Sequence, residues 1–61
     1  MFTVTFNTEN AAFEDGHFPI EVARVLRDIA DRVHKGAKHG KVHDVNGNLI
    51  GEFRHHDGDA R

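Results

Sequence analysis

Apolar and polar positions change spacing along the chain, and each change marks an element. Over FTVTFNT, Phe2, Val4 and Phe6 alternate with Thr3 and Thr5, the period of a half-buried strand, which is predicted over 2–7. Asn7 to Asn10 break the alternation. Ala11, Ala12 and Phe13 then form a short apolar patch before the loop Glu14-Asp15-Gly16, and Phe13 is expected to plug one end of the core. From Ile20 the spacing becomes helical. Val22, Leu26, Ile29 and Val33 recur at steps of three and four, with Val25 and Ala30 widening the stripe. Pro19 suits a first helical turn, where its missing N–H has no intrahelical partner. Glu21 near the start and His34 and Lys35 near the end complement the helix dipole, and Gly36 is a natural stop. A helix is therefore predicted over 19–35, with Arg24, Asp28 and Arg32 at successive i,i+4 steps on its solvent side.

A basic linker of Lys35, Lys38 and His39 leads to Gly40 and a second strand ending at Asp44. Asn46-Gly47 marks a tight turn, giving a hairpin over 40–55. A two-residue turn would pair Asp44 with Leu49 and set Val42 opposite Gly51, a poor apolar match. A three-residue loop with Gly47 in a left-handed bulge pairs Asp44 with Asn48 and Val42 with Ile50, and is preferred because two β-branched residues then meet. Gly51 allows a further bulge that returns Phe53 to the inner face. The tail, 56–61, has no period and is expected to fray. The whole is one α+β domain over 1–61, β-α-β-β, with a three-stranded antiparallel sheet packed against one helix.

The hairpin stretch DVNGNLIGEF raises the question of a calcium loop. Counted from Asp44, Asn46 and Asn48 fall at ligand positions, but Leu49 stands where such a loop needs glycine and His55 where it needs a bidentate glutamate. A turn explains the same residues, with the Asp44 carboxylate accepting hydrogen bonds from the turn's backbone N–H groups.

Composition narrows the picture. A chain of 61 residues buries only about 60% of its unfolded surface, so a staple is expected. The absence of cysteine removes disulfides and thiolate zinc sites and makes self-association, a homodimer, a reasonable expectation. The net charge of −2 lacks the basic excess of a non-specific nucleic-acid binder. Protonating all six histidines would carry it to +4, so surface charge changes sign in mildly acidic solution. No apolar run approaches the ~20 residues of a membrane span, and MFTVTFNTEN lacks the basic and apolar regions expected of a signal peptide. The expected compartment is the cytosol.

His34, His39, His43, His55 and His56 invite a metal reading, but their spacings cross glycine-containing loop and match no zinc pattern; neither metal nor cofactor is expected. Serine, tyrosine and cysteine are all absent, leaving Thr3, Thr5 and Thr8 as the only hydroxyls. A pair such as His43 and Asp44 would lack a deep pocket, so an enzyme is not expected. Surface recognition remains. Glu9, Glu14, Asp15 and Glu21 cluster around the loop entering the helix, with no Lys or Arg before Arg24, and Asp28 and Asp31 add to them on the helix. Lys35, Lys38 and Lys41 form a basic counterpart at the other end. The acidic edge is the expected partner-binding site, suited to a basic surface.

FNTENAAF, EVARVLRDIADRV and GKVHDVNGNLIGEF occur in that order, within a match that covers residues 2 to 53. This set resembles a family of short phage- and prophage-encoded proteins with an N-A-A-F strand end, an E-V-A-R-x-L-R helix and a D-x-N-G-N-x-x-G hairpin. The architecture and size also look like a small anti-CRISPR protein acting on type I-C systems. That resemblance implies binding to the host CRISPR surveillance complex (Cascade), through its large subunit, and blocking of target DNA recognition, with no direct nucleic-acid contact. The near-neutral charge departs from strong DNA mimicry, so steric blocking is the expected mode. Two alternatives stay open: a small nucleic-acid-binding phage regulator using the Lys35–Lys41 segment, and a sponge for a nucleotide signal at a dimer interface.

Overall fold

The computed structural model describes residues 1–56. The order of elements is β1 (Phe2–Phe6), a 3₁₀ turn (Ala11–Phe13), α1 (Phe18–His34), β2 (His39–His43) and β3 (Leu49–His55). This is the predicted β-α-β-β arrangement. The strands form one antiparallel sheet in the order β1-β3-β2, so the last strand lies between the other two. Of the expected frayed tail, residues 57–61 lie outside the described residues. His56 is held, exchanging backbone hydrogen bonds with Met1 at 2.7 and 3.2 Å.

Val25, Ile29, Val42 and Phe53 form the core, with Val4, Phe6, Ala37 and Ile50 packed around it. Two rows cross the inner face of the sheet, Val4–Phe53–Gly40 and Phe6–Gly51–Val42. Each row holds one glycine next to a large side chain, which lets Phe53 and Val42 be almost completely buried. A Cβ on Gly51 would collide with the Thr5 carbonyl oxygen and come within 2.6 Å of Phe6 Cα, so no other residue fits there without backbone movement. Phe13 is buried as predicted, its ring 6.4 Å from Phe6 and 6.5 Å from Phe18.

The turn is the three-residue loop expected from Asn46-Gly47. Gly47 has φ +86°, and the Asp44 amide donates to the Asn48 carbonyl at 2.9 Å. The second bulge lies one residue earlier than Gly51. The register shifts between Val42 and His43, so Val42 faces Gly51 and not Ile50. The gap above Gly51 accommodates Val42 better than a cross-strand Ile50 would, because Phe6 already closes its other side.

The helix is rotated relative to its apolar stripe. Its buried residues are Glu21, Val25 and Ile29, whereas Leu26 and Val33 remain 47% and 39% exposed. At 100° per residue the packed face is centred about 70° from the centre of the apolar arc. The rotation also corrects the solvent-side placement of two arginines. Arg24 and Arg32 reach across to β2, donating to the carbonyls of His43 at 3.1 Å and Lys41 at 2.8 Å. Arg32 also lies over the Phe53 ring at 5.0 Å.

Candidate partner-binding surface

The loop from β1 to α1 is built by its own polar side chains. Asn7 Oδ1 accepts from the Glu9 amide at 2.6 Å. Asn10 caps the 3₁₀ turn, accepting from the Ala12 amide at 3.1 Å, and donates through Nδ2 to Asp44 Oδ2 at 2.7 Å. Asp15 (φ +55°) and Gly16 (φ +84°) then turn the chain into α1 through left-handed conformations, which Asp tolerates better than most residues. Glu9, Glu14 and Asp15 are consequently exposed.

The six acidic residues expected to bind a partner are therefore divided. Glu21 is 5% exposed and belongs to the fold. It accepts two hydrogen bonds from Arg24 at 2.9 Å and one from the Val45 amide at 2.8 Å. The Arg24 hydrogen bonds hold its carboxyl below the ordinary 4.5, outweighing burial, with the Val45 amide adding to the effect. The reason is steric: the helix rotation points Glu21 under the hairpin tip. Asp28 and Asp31 are exposed but paired, Asp28 with Arg32 at 3.3 Å and Asp31 with Lys35 at 3.2 Å. Among the described residues, only the carboxylates of Glu9, Glu14 and Asp15 carry no ion pair or hydrogen bond.

Asp44 plays the turn role expected of it. Oδ1 accepts from the Asn46 and Asn48 amides, both at 2.9 Å, and Oδ2 from the side chains of Asn10 and Asn48. Burial pushes its carboxyl up, but the donors from Asn48, Asn46 and Asn10 together bring it below the ordinary 3.8.

Three apolar side chains escaped the sequence reading of this surface. Phe18, Ile20 and Val45 are 51%, 68% and 63% exposed. They sit at the same end of the molecule as the acidic loop, since Val45 is tied to the first turn of α1 through Glu21. Val45 carried a legible signal, being apolar at a turn tip with no strand face to occupy. Phe18 and Ile20 did not, because they flank Pro19 at a helix start where either could pack inward.

Elsewhere the surface is shallow. A depression of about 670 Å³ on the outer face of the sheet is lined by Thr5, Asn7, Lys41, Leu49, Ile50 and Glu52, and its Lys41 is paired with Glu52 at 3.5 Å. Among the described residues no group of three or more His, Asp or Glu is placed to hold a metal ion, and no helix is long and apolar enough to cross a membrane. Compared with known proteins, the chain matches no family model, no curated sequence and no solved structure.

Proposed function

We infer that the protein acts by binding another protein through the end that carries Glu9, Glu14 and Asp15 around Phe18, Ile20 and Val45. The observation that carries this reading is the pairing of unengaged carboxylates with exposed large apolar groups, while the other carboxylates of the described residues are all taken up by arginine, lysine or amide donors. Apolar anchors ringed by charge are the anatomy of a protein interface. The acidic rim favours a basic target and speeds encounter. The nucleic-acid alternative finds less support, because Lys35 and Lys41 are each paired with a carboxylate. Combined with the sequence resemblance, the finer reading is a phage-encoded inhibitor that occupies the type I-C surveillance complex, at its large subunit, and blocks target DNA without catalysis.

The test is a titration of purified type I-C surveillance complex with the protein, reading binding of a labelled target duplex. The expected result is inhibition complete near one inhibitor per site, with a Glu14→Lys, Asp15→Lys, Ile20→Lys variant that melts normally weakened at least about tenfold. Undiminished DNA binding at excess protein would remove this target. Full inhibition by the triple variant would remove this end as the contact surface.

A further inference from the structure

The two edges of the sheet are treated differently. On β2 the peptide groups pointing away from β3 belong to His39, Lys41 and His43, because the Lys38 carbonyl faces β3, accepting from the His55 amide at 2.7 Å, and the direction alternates. Two of those outward carbonyls are covered: Arg32 donates to Lys41 and Arg24 to His43. The strand also carries Lys41, and its pairing with β3 is interrupted by the bulge. Charge, bulges and covering side chains are the usual means of closing an edge to further pairing.

Among the described residues, the β1 edge has none of these. Met1 exchanges hydrogen bonds with His56, and the Asn7 amide donates to Ile50 at 2.9 Å. Odd-numbered residues therefore face β3, and Phe2, Val4 and Phe6 turn their N–H and C=O groups outward. FTVTF contains no charge and no proline, and its register with β3 is unbroken. Where the arginines guard β2, the helix presents Leu26, Ala30 and Val33 toward β1. With Phe2 and Val4 they line an apolar groove of about 460 Å³, which continues past Phe2 and Val33 into a second of about 270 Å³ beside Ala37.

We propose that β1 and this groove are a homodimer interface, in which β1 pairs antiparallel with β1 of a second copy about a two-fold axis at Val4. The register is self-complementary. Val4 meets Val4 of the second copy and Phe2 meets Phe6, so every outward group on one strand finds its counterpart on the other, an isologous contact. The same pairing sets Phe2 beside Phe6 of the other copy on the helix side of the sheet, joining the two apolar grooves into one layer. An uncharged strand meets its own copy without repulsion. A cysteine-free chain whose core centres on four side chains also gains the partner subunit that small domains commonly need.

The experiment is sedimentation velocity on the full chain from about 10 µM to about 1 mM, a range suited to a small interface, with amide hydrogen exchange at the same concentrations. The expected result is a species of twice 6.9 kDa, with Val4 amide protection that rises with concentration. Leu26→Lys with Val33→Lys should weaken association at least about tenfold and leave the melting temperature of the dilute protein within a few degrees, since both side chains are already half exposed. Should that variant misfold, the wild-type Val4 amide decides alone. A monomer throughout the range overturns the proposal. So does a dimer in which Val4 exchanges freely, or protection that appears only when a different protein is added.

Discussion

Glu21 Oε2 accepts a hydrogen bond from the Val45 amide at 2.8 Å, fastening the first turn of α1 to the tip of the hairpin across 24 residues of sequence. The same carboxylate receives Arg24 in a two-pronged contact, and Arg24 continues to the His43 carbonyl. One acidic side chain thus organises both the hairpin tip and an edge of the sheet. Truncation leaves the Val45 amide without its acceptor and the guanidinium with only the His43 carbonyl. Glu21→Ala is expected to cost about 2 kcal/mol, read as a fall of roughly 10 °C in Tm for a domain of this size. A melting curve unchanged by the substitution would show that the contact contributes nothing.

Acid should unfold the protein through the same group. Glu21 and Asp44 both titrate below their ordinary values of 4.5 and 3.8 in the folded chain. A depressed folded pKa means the unfolded state takes up protons first, so the stabilisation is full above about pH 4.5 and is lost as pH falls further, through the folded values. Thermal melts at pH 5, 4 and 3 should therefore show a falling Tm, with a shallower fall in Glu21→Gln than in wild type. Parallel wild-type and Glu21→Gln profiles would assign the acid sensitivity elsewhere.

The two sheet glycines should differ sharply. A Cβ at Gly51 meets the backbone of Thr5 and Phe6, which cannot yield without breaking the β1–β3 pairing. At Gly40 the nearest atom is the end of the Arg32 side chain, at 2.5 Å, followed by the Phe53 ring at 2.9 Å. Urea denaturation should show Gly51→Ala losing about 3 kcal/mol or failing to fold, and Gly40→Ala losing about 1 to 2 kcal/mol. Equal losses would mean that the strand backbone accommodates a methyl group as readily as the arginine does.

Asn10 and Asp44 should behave as a coupled pair. Each single alanine substitution breaks the 2.7 Å contact between the β1–α1 loop and the hairpin turn, so the double variant should lose less Tm than the two single losses combined. Asp44→Ala should be the more damaging, because it also removes the acceptor for the Asn46 and Asn48 amides. Simple additivity would show that the loop and the turn are energetically independent.

Removing both arginine caps should open the second edge. Arg24→Ala with Arg32→Ala frees the His43 and Lys41 carbonyls, and light scattering at high concentration should detect species larger than wild type forms. Matching scattering would mean that Lys41 and the bulge protect β2 unaided.

Much of the architecture could be read directly from residue spacing. The alternation in FTVTF, the i,i+4 stripe of α1, Pro19 and Gly36 at its ends and the Asn46-Gly47 turn are local signals, and local sterics and hydrogen bonding set each of them. They placed the strand and helix boundaries within about one residue, and they gave Asp44 its role in the turn. The hairpin register failed by one residue because Val42 answers to Phe6, a residue on another strand that hairpin pairing alone does not include.

The surface was legible only in part for the same reason. Glu9, Glu14 and Asp15 lie in a loop that their neighbours define, and they are exposed as expected. Glu21 looked identical to them in sequence. Its burial follows from the rotation of α1, which is set by where β2 and β3 offer Val42 and Phe53 to be covered. That rotation also carried Arg24 and Arg32 from solvent to the β2 edge and left Leu26 and Val33 uncovered beside β1. The sequence by itself determined which elements form and in what order, because hydrogen bonding and side-chain period act over a few residues. Only the tertiary structure decided which face of the helix is inside, which charges remain free and which edge stays open. Those outcomes depend on packing between residues far apart in the chain.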